Sequence, residues 1–408
     1  MLENKGKTQS HARDVNKEFV FSELRKRERS CSELAQILGL SKPAMSEIMG
    51  ELAEVGLVIP APASAARGEV GRRPQYYRIN DGFGIVGILD FASNDVLVFV
   101  ANMAGRVLSR TKFENRHFIT PADVEAAAAA LREQVAKFPG MPLLAVCAGV
   151  PGKVDRDNRI WESARLKSCL EMDIGGFLRE KFKTKIIVEN DMHMAVTGEM
   201  EYGGGRNQTY MAYIFIDKGL GAGLAIDGKV YGGEQGFATE LGLNTVLRFE
   251  DGKPVFQIYD ECIAYANLSG SIREAAVKNG DHALLARYDG EEITPEALGA
   301  AYAAGNPNAA AAIERQQYYL SMRIKNIYES MNIRLFVLNG KIIRLGELYF
   351  ERLREKAAAL DMPGLTISIS GLGERASALG EMACAIESGI NTTLKIRPNG
   401  QKSQNKSL

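Results

Sequence analysis

The sequence has few of the features that membrane proteins, disulfide-stabilised proteins and metalloproteins need. No uninterrupted apolar run is as long as a membrane span, and the first twenty residues are polar, without the apolar core of a signal peptide. The five cysteines are scattered with no Cys-x-x-Cys spacing, which is typical of reduced thiols in a cytosolic protein. The formal net charge is zero, so no overall field draws the molecule toward nucleic acid or membrane. We expect a cytoplasmic protein without membrane contact.

What the sequence does contain indicates a large globular protein. Its 408 residues, 46% of them hydrophobic, exceed one ordinary domain and can form a sizeable core. The pattern along the chain predicts a small helical head over residues 1–80 and an α/β body over 81–396. The last segment, 397–408, is polar and is predicted to be a disordered tail.

Residues 13–59 predict three short helices. Ser32 is a candidate N-cap for the second helix, which Gly39 ends, and Ser41 caps the third, which Gly56 ends. The predicted inward positions are Val15, Phe19, Val20, Phe21 and Leu24 in the first helix, Leu34, Ile37 and Leu38 in the second, and Met45, Ile48, Met49 and Leu52 in the third. Two helices joined by a short turn that contains glycine form a helix-turn-helix.

The third helix has a small, polar outward face near its N-terminus, where a recognition helix meets base edges. Two strands, at 57–59 and 75–79, flank a segment that contains Arg67, Arg72 and Arg73, which is typical of a wing with a basic tip. The residues predicted to bind double-stranded operator DNA are Ser41, Lys42, Ala44, Ser46, Glu47, Arg72 and Arg73. The alternative is an ordinary three-helix bundle with a solvated basic loop.

The body contains the same strand pattern twice. Residues 84–110 predict three strands, and a helix and a buried strand follow them. Residues 210–233 repeat the three strands with a tight turn at Asp227-Gly228, and helices and two further strands follow by residue 370. Two similar α/β halves with loops at their strand ends favour a ligand-binding cleft.

Several longer stretches follow one another in a distinctive order. They are "GLSKPAMSEIMGELAEVGLV" with "GRRP" in the head, and "AGVPGKVD", "VENDMHMAVTGEMEYGGG", "GLGAGLAIDGKVYGG" and "GFATELG" in the body. In this order they resemble the ROK family of repressors and sugar kinases. The resemblance implies an α/β fold: an N-terminal winged helix-turn-helix, followed by a duplicated actin-like, ribonuclease H-like ATPase body. It also implies either a DNA-binding regulator or a sugar kinase.

The positions that match the family's two phosphate loops are altered. The first loop, Asp-x-Gly-Gly-Thr in the kinases, matches residues 90–94, where Asp90 is retained but both glycines are replaced. The second loop matches residues 217–223 and begins with Asp217, an acidic residue that would repel phosphates. ATP binding, and with it kinase activity, is therefore expected to be lost.

The family's sugar contacts are retained only in part. The resemblance places the sugar-kinase base at Asp191 and a sugar-binding carboxylate at Glu240, and it places Arg165 where the family has asparagine. We predict that a sugar, a sugar phosphate or another small molecule binds near Asn190, Asp191, Glu240 and Arg165, and the lost contacts also leave open a body that binds no effector. Asn190 and Asp191 are equally explained as helix caps, and the two roles are compatible. His193 is a candidate ligand contact or a structural histidine.

No metal or cofactor is expected. The histidine that helps to hold zinc in the family is Leu243 here, and its cysteine-rich segment is replaced by "GKPVFQIYDECIAYAN". Cys262 is the one cysteine there, whereas a structural zinc needs about four ligands.

Taken together, the head and the altered body predict a cytoplasmic repressor of carbohydrate-related genes that acts as a homodimer or tetramer. The alternatives are a bifunctional sugar kinase with a DNA-binding head and a protein-binding winged helix.

Overall fold

A computed structural model describes residues 9–62, 74–92, 95–114 and 118–395, which form an α/β fold. These residues divide into two compact units. The first unit contains the chain up to Ala148 together with Glu171–Val188 and the residues from Met382 onward. The second unit contains Gly149–Leu170 and Glu189–Glu381. No helix in the described ranges is long and apolar enough to cross a membrane.

The helices that the described residues form are 4 to 25 residues long, and the longest is Pro307–Met331. They are α1 Gln9–Lys26, α2 Cys31–Leu38, α3 Lys42–Glu54, α4 Pro121–Ala136, α5 Ile174–Phe182, α6 Asp191–Tyr202, α7 Tyr259–Ile263, α8 Tyr265–Lys278, α9 His282–Leu285, α10 Pro295–Ala303, α11 Pro307–Met331, α12 Glu347–Ala358 and α13 Ala376–Lys395. Short 3₁₀ turns lie at Lys167–Cys169, Leu241–Leu243, Lys341–Arg344 and Gly373–Arg375.

The strands form two five-stranded sheets, one three-stranded sheet and separate hairpins within the described residues. They are β1 Arg29–Ser30, β2 Val58–Pro60, β3 Tyr76–Ile79, β4 Ile85–Asp90, β5 Asp95–Asn102, β6 Val107–Glu114, β7 Leu143–Val150, β8 Lys153–Val154, β9 Ile160–Glu162, β10 Lys185–Asn190, β11 Met211–Ile216, β12 Leu220–Ile226, β13 Lys229–Val230, β14 Thr245–Glu250, β15 Lys253–Ile258, β16 Tyr288–Asp289, β17 Glu292–Ile293, β18 Leu335–Asn339 and β19 Thr366–Ile369.

The head has the predicted three helices and strand pair. Strand β3 lies between β1 and β2, and Val58 of β2 pairs with Ile79. All four predicted apolar positions of α3 are buried, and Gly39 ends α2 in the left-handed conformation with φ 63°. The addition of β1 to this sheet was not predicted, because two residues are too few to show a strand pattern in the sequence.

Three details of the predicted head are wrong. The N-cap of α2 is Ser30 and not Ser32, because the Ser30 Oγ accepts a hydrogen bond from the Glu33 amide while the Glu33 carboxylate accepts one from the Ser30 amide. Phe19 and Ile37, predicted to be inward, are 54% and 46% exposed. Each lies at the margin of its helical stripe, where a small rotation of the helix decides between core and surface.

The two body sheets repeat one strand order, which confirms the predicted duplication. The sheet of the first unit has the order β10-β7-β4-β5-β6, and that of the second has β19-β18-β11-β12-β13. In each, three consecutive strands form an antiparallel meander, and two later strands extend the sheet from its first strand. In the second unit β18 pairs in parallel with both β11 and β19. The core of this unit lies between that sheet and helices α7 to α12.

Candidate DNA-binding surface and effector site

Helix α3 presents a polar face beside its N-terminus. Lys42 and Ser46 are exposed there, and Ala44 is half-buried. Ser41 caps the helix, since its Oγ accepts a hydrogen bond from the Ala44 amide at 3.3 Å. Small and polar side chains on this face leave the helix free to approach a groove. Contact of these four residues with DNA remains a prediction.

Glu47, the fifth predicted contact on α3, already has a partner. Its carboxylate lies 2.7 Å from the guanidinium of Arg13 on α1. Arg13 also contacts Glu51, and Lys17 lies 2.7 Å from the same Glu51 carboxylate. The pKa of Arg13 is raised, first by its hydrogen bond to Glu47. Sequence reasoning missed this network because the two helices are far apart along the chain and no spacing relates them.

The basic residues of the predicted wing lie outside the described residues. These basic residues are Arg67, Arg72 and Arg73. The strands on either side, β2 and β3, are antiparallel, with Pro60 opposite Tyr77. The ends of β2 and β3 that precede and follow this segment in the chain are therefore paired with each other.

Asn190 and Asp191 lie at the start of α6. The Asn190 Oδ1 accepts hydrogen bonds from the amides of Met192 and His193 at 2.8 and 3.0 Å, and its Nδ2 donates to the Gly152 carbonyl at 2.7 Å. Asn190 is thus the N-cap of α6, one of the two roles considered for it. Asp191 is buried, and its Oδ1 accepts a hydrogen bond from the Met192 amide at 2.9 Å.

Glu240 lies in a crowded, partly buried group of charges. Burial raises the pKa of its carboxyl, Glu162 adds to that effect, and Lys153 and His193 oppose it. The Lys153 Nζ lies 2.6 Å from the Glu162 carboxylate. Lys153 and Glu162 were not singled out in the sequence, although Lys153 belongs to the "AGVPGKVD" stretch. The structure thus brings Glu240 near a lysine and a histidine that could help it hold a polyhydroxyl ligand.

The backbone next to Glu240 is strained. Thr239 has φ 75°, a left-handed conformation that a β-branched residue rarely adopts. Its Oγ1 donates a hydrogen bond to the Ala222 carbonyl at 2.9 Å, which helps to hold this conformation. Such outliers cluster at ligand sites, where surrounding structure enforces them.

We expect Glu240→Gln to raise the free energy of unfolding at pH 7. A carboxyl with a raised pKa in the folded state contributes its full stability below its unfolded pKa and loses it as the pH rises through the folded value. The difference from the wild type should therefore vanish below about pH 4. Urea unfolding of both proteins between about pH 4 and pH 7 measures this difference in the free energy of unfolding. The exposed Glu180→Gln is the control for the loss of a surface carboxylate.

A small cavity of about 230 Å³ lies beside α6 in the second unit. Its lining includes Glu189, His193, Asp155 and Arg156. The buried His193 ring places Nδ1 3.0 Å from the Glu189 carboxylate, so the histidine has a structural partner and also borders the cavity. None of the four predicted effector residues lines this cavity. Arg165 is half-buried on the segment after β9.

The described part of the first altered phosphate loop, residues 90–92, contains a local hydrogen bond. Asp90 is buried and accepts a hydrogen bond from the Ala92 amide at 2.8 Å. Phe91 is fully buried. Ser93 and Asn94 lie outside the described residues. The retained aspartate therefore shapes a turn.

The second loop is occupied by charges of the chain itself. The Leu220 amide donates to the Asp260 carboxylate at 2.6 Å. Lys341 lies 3.5 Å from Asp217 and 2.7 Å from Glu292. A backbone amide that could face a phosphate thus faces an internal carboxylate, and the charge of Asp217 is partly balanced by a lysine.

The ROK family model matches residues 86–388, most of the chain and both repeated sheets. The chain belongs to the ROK family. A xylose repressor of Caldicellulosiruptor bescii is 25% identical over 386 residues, covering 88% of this chain and 91% of that protein. A glucokinase of Halalkalibacterium halodurans is 26% identical over 247 residues, covering 58% of this chain and 74% of that protein.

Solved structures give the same fold. The crystal structure of a ROK family transcriptional regulator, a homologue of the E. coli MLC protein, superposes with a TM-score of 0.72 at 18% identity. It covers 94% of this chain, and its own chain is covered completely. The ROK fold of the body and the winged helix-turn-helix of the head, both implied by the sequence, are confirmed.

Proposed function

We propose that this protein is a cytoplasmic, DNA-binding repressor of carbohydrate-related genes that responds to a sugar or sugar phosphate as a homodimer or tetramer. The observation that carries the proposal is the three-helix head, whose α3 presents exposed Lys42 and Ser46 beside a capped N-terminus. The xylose repressor supports it, because the match covers 88% of the chain and so extends beyond the family region at 86–388.

Selection of bound duplexes from a random DNA pool tests the proposal. A symmetric dimer places two recognition helices on a palindrome, so we expect two inverted half-sites whose centres are separated by whole turns of about 10 to 10.5 base pairs. Absence of any enriched duplex sequence would contradict it. That outcome is the one expected if the head is instead a protein-binding winged helix, which would enrich no duplex sequence.

We expect replacement of both Arg72 and Arg73 by alanine to weaken operator binding and to flatten its salt dependence. Each phosphate contact releases about one counterion, so loss of two contacts lowers the slope of log K against log salt by roughly 1.8. Titrations at several salt concentrations measure this slope. The control is Arg25→Ala with Lys26→Ala at the end of α1, which removes equal charge from the head. An unchanged slope would exclude the two arginines from phosphate contact.

The effector would act by preferring one arrangement of the two heads in the dimer. We place the effector site at the N-terminus of α6, beside the His193–Glu189 pair. Asp191 and Glu240 belong to the same compact unit as this pair. Xylose and glucose are the first sugars to test, because relatives are named for them. Thermal-shift measurements with both sugars and with their phosphates show whether any of them binds. Stabilisation by none of them would leave the body as a dimerisation scaffold.

We expect ATP with magnesium to leave the melting temperature unchanged. A nucleotide at roughly 100 times its dissociation constant would add about 2.7 kcal/mol to the free energy of unfolding. The internal contacts of Asp260 and Lys341 at the second loop argue against such a site. A clear ATP-dependent shift, or hexose phosphorylation, would instead favour the bifunctional kinase, to which the glucokinase relative lends support.

A further inference from the structure

The hairpin β14–β15 has one apolar face that is open to solvent. In its antiparallel register Leu247 lies opposite Phe256, and Phe249 lies opposite Pro254. Residues directly opposite and residues two apart along a strand share one face of a hairpin, so these four side chains form a single patch. Leu247, Phe249 and Phe256 are 52%, 67% and 68% exposed. We call these four residues the hairpin patch.

The other face of the hairpin packs on its own unit. Val246 contacts the core of the second unit, and Arg248 and Val255 are half-buried. This packing fixes which face looks outward. A two-stranded hairpin is marginally stable in water by itself, so covering its apolar face would add to its stability.

The described residues of the chain leave the hairpin patch exposed. The undescribed segments, 1–8, 63–73, 93–94, 115–117 and 396–408, are mostly polar or small, and each carries at most two large apolar residues. Such segments offer little apolar surface, which favours a cover from another molecule.

The size of the patch fits a second copy of this chain. Aromatic side chains bury about 150–250 Å² each, so the two phenylalanines, each about two-thirds exposed, offer roughly 400 Å² together with Leu247 and Pro254. Self-pairing would bury about 800 Å² of apolar surface, and with a polar rim this approaches the roughly 1,200 Å² of a stable interface. The largest apolar patch on a typical monomer is about this size and is often functional.

The charges of the hairpin favour the same partner. Arg248 and Glu250 lie on the opposite face and pair with each other at 2.8 Å. The patch itself has no charged residue, so it offers nothing specific to DNA, an acidic peptide or an anionic membrane. An uncharged apolar face is complementary to a copy of itself, as a two-fold interface requires.

We propose that two copies associate through the hairpin patch, with Phe249 and Phe256 at the centre of a two-fold interface. This inference rests on the proposed function, in which a dimer presents two heads to an operator. It assigns a role to the segment that stands where the family has its cysteine-rich zinc segment. There, a β-strand at Lys253–Ile258 supplies half of a contact surface.

Sedimentation equilibrium of the full-length chain tests the proposal. Phe249→Ser with Phe256→Ser should raise the dimer dissociation constant at least about 100-fold, since buried aromatic residues dominate interface energies. Phe118→Ser is the matched control, because Phe118 is 66% exposed and belongs to the other unit. It should leave the dissociation constant unchanged. A wild-type chain that is monomeric, or a double variant that stays dimeric, overturns the proposal.

A pair of charge variants guards against misfolding of the double variant. Leu247→Glu and Leu247→Lys should each be monomeric, because like charges would meet across the two-fold axis, and their mixture should recover dimers. Failure of the mixture to associate while each variant melts like the wild type overturns the proposal. DNA binding separates this outcome from failure of the proposed function: a monomeric variant should still bind an isolated half-site weakly, whereas a protein that is no regulator binds no site.

Discussion

Replacing Ser46 by aspartate should lower operator affinity at least about 100-fold and leave the fold intact. Ser46 is exposed on α3, where a carboxylate would face phosphates and base edges instead of a small hydroxyl. Loss of sequence-specific contacts removes much of the roughly 10³ to 10⁷-fold preference over non-specific DNA. The effect on the free energy of unfolding should stay within about 0.5 kcal/mol, since the side chain has no buried contacts.

Fluorescence anisotropy with the selected operator measures this change. Val277→Asp adds the same charge at an exposed position of α8 in the body and is the control, which should bind almost normally. Ser46→Ala removes the hydroxyl without adding charge and should bind with intermediate affinity. Equal affinity of Ser46→Asp and wild type would remove α3 from the interface.

The second large effect is expected in the body, where α6 and α13 approach each other closely. A methyl group added at Gly380 would overlap the carbonyl oxygen of Met194 and come within 2.9 Å of the Gly198 amide. Neither backbone atom can yield without disturbing α6. We therefore expect Gly380→Ala to lower the free energy of unfolding by about 3 kcal/mol or more, at the upper end of overpacking effects.

Urea unfolding of Gly270→Ala provides the comparison. Gly270 lies in α8 with nothing near the position of an added methyl, so the same substitution should stabilise the protein by about 0.5–1 kcal/mol. If the two substitutions change the free energy of unfolding in opposite directions, the close helix contact, and not glycine's general flexibility, determines the effect at residue 380. Equal effects at both positions would contradict the packing of α6 against α13 and hence the support of Asn190 and Asp191.

Elements with local signals were predictable. The Ser41 cap, the four apolar positions of α3 and the glycine after α2 follow from chemistry within one or two turns. The two repeated meanders could be found from alternating apolar residues and tight turns. Errors arose where two local signals competed, as with Ser30 and Ser32, each of which can cap α2. Marginal stripe positions such as Phe19 depend on how helices rotate against each other.

The candidate sites were less predictable, because their partners are distant in sequence. Asp217 was expected to repel phosphates, and the structure adds that Lys341, over a hundred residues later, lies 3.5 Å from its carboxylate. Glu47 was read as a free contact on α3, but Arg13 of another helix pairs with it. In each case the charge of a residue was visible in the sequence and its neighbour was not.

The sequence by itself determined the family, the order of the domains and the residues replaced in the phosphate loops, since these depend on side-chain type and local spacing. Only the tertiary structure decided what fills the altered loops, which charges compensate one another and which face of β14–β15 meets solvent. Those properties depend on packing between segments remote along the chain, and no local pattern specifies such packing.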